Sequence, residues 1–511
     1  MGKKEFLIAC IVLFAMHLIP FSGSGQRIIY SDPEKEDNSR LSFEIIGRIG
    51  GNFLVFKNNR SRSWIAVMDE EMQVTSREEL GYLPNPDRTI NVDFFPYADF
   101  AWMIYQYQRK NVVYCVAAKI DKLGKRVGEL IELDTTHLGF ASDNRLYAVC
   151  GSEDRKKIAV VKVNTRDREL YQMTSFVFNE KMDLLQKTRA QIPMEDRTTQ
   201  LGEMLLDNEG TLVFTRFHRT YNDNINKASV LYQPLGGSVL NEYPLAVEGN
   251  WLDDIRVKID NINKRYMLTS FFSKERRGGI DGYYQLVFDK NLNKPFVEKT
   301  AILMDDVRQE AKGNATVRTA FNDYFIRQIV TRRDGGFLVA SEAYYTTSRA
   351  NNWNRWDYLY GSPFMSMNSM YYTSPYASRM MWGNLPRTSQ AVRYHADNIL
   401  IQSYSPAGEL EWSQIIAKSQ FDDETDDLLS FQLMNTGGEI HILFNQQERR
   451  DRLLNDITIQ PGGQSARNPG LKNLDAGHQF MPARSKQVSS RILIVPTVYR
   501  GYICFAKVEY N

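Results

Sequence analysis

The residues Phe325-Ile326-Arg327-Gln328-Ile329-Val330, then Asp334-Gly335-Gly336, then Phe337-Leu338-Val339-Ala340-Ser341-Glu342-Ala343 decide how this chain is read. Two apolar runs of strand length flank an Asp-Gly turn, a strong short-range signal for a β-hairpin. The pattern resumes at Asn398-Ile399-Leu400-Ile401-Gln402-Ser403-Tyr404, turns at Ser405-Pro406-Ala407-Gly408 and continues as Glu409-Leu410-Glu411-Trp412. Four strands make one unit, split by residues 344–397. That insertion has neither strand nor helix period and is crowded with Trp, Tyr, Met, Asn and Arg.

Outward from this unit a looser theme recurs. Gly51–Phe56 reads as a strand partnered by 64–69, and 101–105 by 112–116. The same holds for 146–150 with 158–164, 211–215 with 229–232, and 265–269 with 284–289. After the split unit come 438–444 and finally 491–495 with 502–506. Seven or eight units of short strands with almost no helical periodicity indicate an all-β fold, a seven- or eight-bladed β-propeller with one long aromatic-rich loop insertion. Tandem sandwiches would need strong boundaries about every 100 residues, and a β-helix a shorter and stricter period. The mature start, Arg27-Ile28-Ile29-Tyr30, and the end, 502–510, are both strand-like, as expected where one blade is completed from both termini.

At repeat level the split unit resembles the bacterial PQQ-like and related secreted β-propeller repeats. Asp334-Gly335-Gly336-Phe337-Leu338 matches their blade-opening turn, and Gly408-Glu409-Leu410-Glu411-Trp412 their Gly-x-x-x-Trp outer-strand signature. The resemblance implies a propeller and no bound quinone, because the Trp signature is not repeated around the ring. A sialidase-type Asp box is not matched, since 405–412 lacks the Asp and places its Gly one position early.

The domain plan is a signal peptide at 1–25 and a propeller at 26–511 carrying the insertion at 344–397. Lys3 and Lys4 precede an apolar stretch at 6–19, and Phe21-Ser22-Gly23-Ser24-Gly25 offers small residues for cleavage before Gln26. Cys10 precedes most of the apolar run, which argues against a lipidation box. The expected location is therefore outside the inner membrane, in the periplasm or at the periplasmic face of the outer membrane. A net charge of +2 with 24% charged residues gives no reason to expect nucleic acid or an anionic membrane as the main partner, and no span is expected in the mature chain.

Cys115, Cys150 and Cys504 remain in the mature chain, each within an apolar strand-like run, where buried, chemically inert thiols are the usual state. Their odd number leaves room for one bridge. None of His137, His218, His395, His441 and His478 shows ligand spacing to another, so no metal and no cofactor is expected. Asp253-Asp254 and Asp305-Asp306 are the only pairs that suggest a glycosidase-like arrangement, and such pairs are common in propeller loops. The acidic run Asp422-Asp423-Glu424 with Asp426-Asp427 has no turn Gly for a calcium loop and reads as a solvated inter-blade loop.

Function is expected in the insertion. Its aromatic and cationic residues Trp353, Trp356, Tyr358, Tyr360, Tyr371, Tyr372, Tyr376, Trp382, Arg355 and Arg379 are of the types enriched in interface cores. The insertion either presents a binding surface or caps one end of the channel, and the sequence leaves both open. The expected function is a non-catalytic, exported protein-binding module of the cell envelope. Its sharper form is an accessory or plug subunit of an outer-membrane secretion or uptake complex. The alternative is a carbohydrate-binding or glycan-active propeller whose Trp residues stack on sugar rings. The insertion is Arg-rich and acid-poor, which favours the first. N-terminal sequencing of the exported protein should return Gln26 as the first residue, and an intact Met1 or a lipidated Cys10 would refute the export reading.

Overall fold

The computed structural model describes residues 26–34, 41–59, 62–85, 88–138, 146–164, 169–195, 198–219, 223–247, 249–312, 323–348, 392–423, 425–448, 451–468 and 477–510. Eight antiparallel sheets of four or five strands follow one another around a ring. Blades 1 to 7 occupy 42–79, 89–137, 147–193, 199–244, 251–302, 324–422 and 431–467. Blade 8 combines 478–509 with strand Arg27–Tyr30, which pairs antiparallel with strand Tyr502–Glu509 as its outermost member. Eight blades resolve the expected count, and the closure from both termini is as the sequence suggested. Ser31 reinforces the join, its N–H bonding the Phe505 carbonyl at 2.8 Å while its Oγ accepts the Phe505 N–H at 2.9 Å.

Apolar runs in the middle strands are continuous because those strands are buried on both faces. Strand Ser63–Met68 is buried at every residue, whereas the outer strand Val74–Glu79 alternates between half-buried and exposed. Successive side chains along a strand serve different neighbours. In strand Phe337–Ser348 of blade 6, Phe337 and Val339 pack toward blade 5, while Leu338 and Ala340 pack toward blade 7. Apolar clusters at all eight junctions complete the circuit, and a ninth, of Phe325, Tyr344, Ala396 and Leu429, lies at the base of the long strands of blade 6.

The hairpins share a compact turn chemistry. Asp121 Oδ1 accepts the N–H groups of Leu123 and Lys125 at 2.9 and 2.8 Å, and Gly124 takes φ +80°. Asp69, Asn179 and Asp207 cap their turns in the same way, with Met72, Met182 and Gly210 in the left-handed region. Trp412, the aromatic of the outer-strand signature, docks on the next blade. Its indole N–H donates to the Pro461 carbonyl at 3.1 Å, and a Cβ at Gly463 would sit 2.7 Å from the ring. Glycine is therefore required at position 463.

One expectation needs correction. Residues 344–348 and 392–397 are strand, not irregular insertion. Strands Phe337–Ser348 and Val392–Tyr404 are 12 and 13 residues long and pair as far as Ser348 and Val392. Among the described residues one α-helix, α1 (Asp305–Lys312), lies between blades 5 and 6, in keeping with the near absence of helical periodicity. Asp305 and Asp306 occupy its first turn, where they complement the helix dipole. They do not form a facing catalytic pair.

At the seam between blades 8 and 1, Glu44 and Lys486 face each other from the innermost strands Ser42–Ile49 and Lys486–Ser489. Lys486 Nζ donates to the Ile45 carbonyl at 3.0 Å, and Glu44 Oε2 is shut off from solvent with no hydrogen bond among the described residues. Burial pushes the Glu44 carboxyl up to about 7, against the opposing pull of Lys486. A raised folded pKa favours the native state while the group is protonated in both states. Stability should thus fall as pH rises from about 4.5 to about 7. In Glu44→Gln this slope should flatten, and thermal melts across that window would show it. An unchanged slope would mean the seam carboxyl does not titrate there.

Candidate functional site

The ten insertion residues expected to bind, Trp353, Trp356, Tyr358, Tyr360, Tyr371, Tyr372, Tyr376, Trp382, Arg355 and Arg379, lie outside the described residues. What is described is the root from which the insertion leaves. Consecutive strands are antiparallel, so connections between second and third strands share one face of the ring with the inter-blade links. The insertion of blade 6 and α1 therefore emerge on this loop face.

Three bulges lie near the root. Register shifts occur between Ile326 and Gln328, where Arg327 is the extra residue, between Glu342 and Tyr344, where Asp397 and Asn398 oppose Ala343, and between Asp397 and Ile399, where Ala417 and Lys418 oppose Asn398. Bulges re-aim side chains and increase local twist. Arg327 turns onto Glu342, and Asn398 Nδ2 donates to the Ala311 carbonyl of α1 at 3.0 Å.

Below the root lies a buried charge network. Glu342 is fully buried and accepts Lys418 Nζ at 2.8 Å, Arg327 Nε at 3.0 Å and Ser430 Oγ at 2.5 Å. Lys418 Nζ also donates to the Ala396 carbonyl at 2.8 Å and to Gln420 Oε1 at 2.9 Å. Gln420 reaches the Asn445 carbonyl at 2.6 Å, and Asn445 Nδ2 donates to the carbonyls of Leu428 and Phe480 at 2.8 and 2.7 Å. One chain of hydrogen bonds thus links blades 6, 7 and 8. Burial alone would raise the Glu342 carboxyl, but the charges of Lys418 and Arg327 outweigh it and hold it below its ordinary value.

Above this network the two long strands carry an aromatic stem. Tyr345 stacks on His395, with ring centroids 4.5 Å apart and planes 7° from parallel, and its hydroxyl donates to Asp397 Oδ2 at 2.9 Å. Burial pushes the His395 imidazole below its ordinary value, partly opposed by Asp397. The Arg327 guanidinium lies 4.9 Å from the Tyr344 ring centre, and the Tyr344 hydroxyl donates to Asp426 Oδ2 at 3.0 Å. At the rim Arg393 grips Asp423 through two bonds of 2.6 and 3.1 Å and covers Phe421, itself 44% exposed.

The acidic run is inter-blade, as read from sequence, but it is not simply a solvated loop. Asp423 holds Arg393, Asp426 holds Tyr344 and Asp427 pairs with Arg484, while Glu424 lies outside the described residues. Burial raises the Asp426 carboxyl above its ordinary value. The run clamps the stem because Asp423, Asp426 and Asp427 find donors on blade 6 or blade 8, while Asp422 accepts the Thr425 N–H within the loop.

Other candidates have structural partners. Asp253 accepts the Asn224 amide at 2.9 Å, and Asp254 pairs with Arg256. His441 is buried with Nδ1 3.1 Å from Asp456, and His478 stacks between Tyr30 and Tyr499. Cys115 and Cys150 are free thiols that burial pushes well up, and Cys504 is fully buried. Among the described residues no group of three or more His, Cys, Asp or Glu is placed to hold a metal ion, and no helix is long and apolar enough to cross a membrane.

No family profile matches the sequence, and neither does any curated protein sequence. The resemblance to PQQ-like repeats therefore rests on the motifs of blade 6 alone. Among solved structures, Saccharomyces cerevisiae Sqt1 is similar at 9% identity with a TM-score of 0.43, covering 96% of this chain and 100% of that one. Prolyl oligopeptidase B from Galerina marginata is similar at 10% identity and TM-score 0.41, covering 91% of this chain and 56% of that one. A polysaccharide lyase, described as a PL25 ulvan lyase, is similar at 9% and 0.34, covering 81% of this chain and 90% of that one. At these levels none of them bears on what this chain does.

Sequence reading missed the roles of Arg327, Glu342 and Lys418, and took Asp426 for part of a solvated loop. The available signal was a charged residue interrupting an apolar strand run, as Lys418 does in Ile415-Ile416-Ala417-Lys418. Lys418→Met should leave Glu342 buried with part of its compensation gone and cost about 3–5 kcal/mol. Glu342→Leu with Lys418→Met should recover much of that loss. Denaturant unfolding of the single and double variants checks it, and additive losses would mean the pair is not coupled.

Proposed function

We propose that the chain is a non-catalytic, exported propeller that binds a protein partner of the cell envelope through the blade 6 insertion. The observation that carries this reading is the stem. The two middle strands of blade 6 run beyond the blade on the loop face, and a buried network spanning three blades braces them. Such rigidity is more than a closed hairpin needs, and it suits a platform that presents a large contact surface without losing it to loop entropy. The composition of the insertion supports the same reading, because Trp, Tyr and Arg supply most hot spots in protein interfaces. The sharper form is an accessory or plug subunit of an outer-membrane secretion or uptake complex. Its supports are the leader-like N-terminus and the exit of the two long strands of blade 6 on the loop face.

Replacement of 349–391 by a short Gly/Ser link tests it, since loop-closure entropy changes slowly with length. The shortened protein should keep its β-sheet circular dichroism and cooperative melting while failing to co-purify envelope proteins. Trp353→Ala, Trp356→Ala and Trp382→Ala should each weaken capture by about thirtyfold, the equivalent of about 2 kcal/mol. A collapsed melting temperature on shortening would make the insertion an internal cap. Retention of the glycans of an array by a chain that captures no protein would favour the carbohydrate reading.

A further inference from the structure

Residues 26–34 do more than supply the outermost strand of blade 8. Arg27–Tyr30 forms four ladder pairs with strand Tyr502–Glu509, against the eight that join that strand to Ile492–Tyr499. What the short ladder lacks is made up at both ends of the segment. At one end the Gln26 carboxamide donates to Asp456 Oδ2 on blade 7. Asp456 is fully buried and also accepts Asn468 Nδ2 at 2.8 Å, with His441 Nδ1 3.1 Å away. At the other end Glu34 reaches blade 1, where its Oε2 accepts Lys57 Nζ at 3.2 Å and its Oε1 accepts Arg77 Nε at 3.0 Å. Burial works against the Glu34 carboxylate, but the charges of Lys57 and Arg77 outweigh it and hold the carboxyl below its ordinary value.

Between the ends, successive side chains serve different junctions. Ile28 and Tyr30 pack on the cluster between blades 7 and 8, and Ile29 packs on the cluster between blades 8 and 1. One short segment therefore touches three consecutive blades. Among the described strands, those of every other blade follow one another along the chain. The outermost strand of blade 8 comes instead from the opposite end of the sequence, so only hydrogen bonds and packing hold it there.

The polar ends decide how this strand lets go. A terminal strand ordinarily frays from its free end. Here that end is pinned: loss of Gln26 takes a donor from a buried carboxylate, and loss of Glu34 takes a carboxylate from Lys57, itself 1% exposed. Burial denies water to the groups left behind, so each loss costs more than an exposed bond would. Freeing one end forfeits its bonds while the other still tethers the segment, and little chain entropy is recovered. Only full release recovers it.

We propose that residues 26–34 form a latch: the first opening of the ring is the release of this segment as a single unit, which unties blade 8 from blade 1. Release bares the edge of strand Tyr502–Glu509 while blades 2–5 keep their structure, so an open ring is distinct from an unfolded chain. The latch is independent of the blade 6 insertion.

Hydrogen exchange of the purified protein, read peptide by peptide by mass spectrometry, tests this. Amides of 27–31 and those of 505–509 facing them should exchange together, and faster than middle strands such as Phe100–Arg109 and Leu212–His218. Gln26→Ala and Glu34→Ala lie at opposite ends. Each should speed exchange along the whole segment by about tenfold or more, as expected for losing a hydrogen bond to a charged group. Blades 2–5 should be unaffected. Ser31→Ala is a milder change in the same segment, readable even where an end variant fails to fold, and should speed both ends alike. Faster exchange confined to the substituted end, or a uniform rise across all blades, would overturn the proposal. So would unchanged exchange in the variants, or protection of 27–31 equal to that of blades 2–5.

Discussion

Every blade of this ring has two apolar faces and no way to bury both except between two neighbours. Along the middle strands one residue packs clockwise and the next counter-clockwise, so no sheet is stable by itself. The ring must therefore close. The strand Arg27–Tyr30 closes it by pairing with Tyr502–Glu509, which covers the edge of blade 8 and joins chain segments more than 470 residues apart. Removal of that edge is also protection, because an unpaired strand of this hydrophobicity invites association with other chains.

The same constraint explains where the insertion sits. A long connection between the second and third strands of a blade leaves the ring on the loop face and disturbs neither junction. Blade 6 uses that freedom by prolonging its middle strands, and past the small apolar cluster of Phe325, Tyr344, Ala396 and Leu429 little aliphatic support remains. Charged and aromatic groups take over there. Glu342 and Lys418 are costly to bury singly and tolerable together, with Arg327 and Gln420 meeting their remaining bonding capacity. The Tyr345–His395 stack and the Arg393–Asp423 pair continue the brace toward solvent. A loop on an unbraced hairpin would present its side chains in many arrangements, with a correspondingly larger entropic loss on binding.

Two surfaces with different chemistry follow from one topology. Antiparallel order sends every odd connection to one face and every even connection to the other, so tips and insertion are segregated without any further device. The loop face carries aromatic, cationic and hydrogen-bonding groups. The turn face carries exposed aliphatic side chains at the tips of blades 2–5, among charged groups of both signs.

Sequence alone determined the fold class, the strand pairs of nearly every blade, the closure from both termini and the position of the insertion. These properties are local: strand-length apolar runs, Asp-Gly turns and a period of short strands are written in neighbouring residues. The blade count needed the structure, because the weakly patterned first and last strands of several blades are recognisable only once paired. The limits of the insertion were misjudged for a related reason. Tyr344-Tyr345-Thr346-Thr347 and Tyr394-His395-Ala396 look irregular in isolation, and their strand character comes from pairing with each other across a long gap. Only tertiary structure could decide the site's foundations, since Arg327, Glu342, Lys418 and Asp426 are scattered over a hundred residues and acquire meaning through contact. Burial creates the demand for a partner, and the partner's identity depends on which blades are adjacent, which no stretch of sequence records.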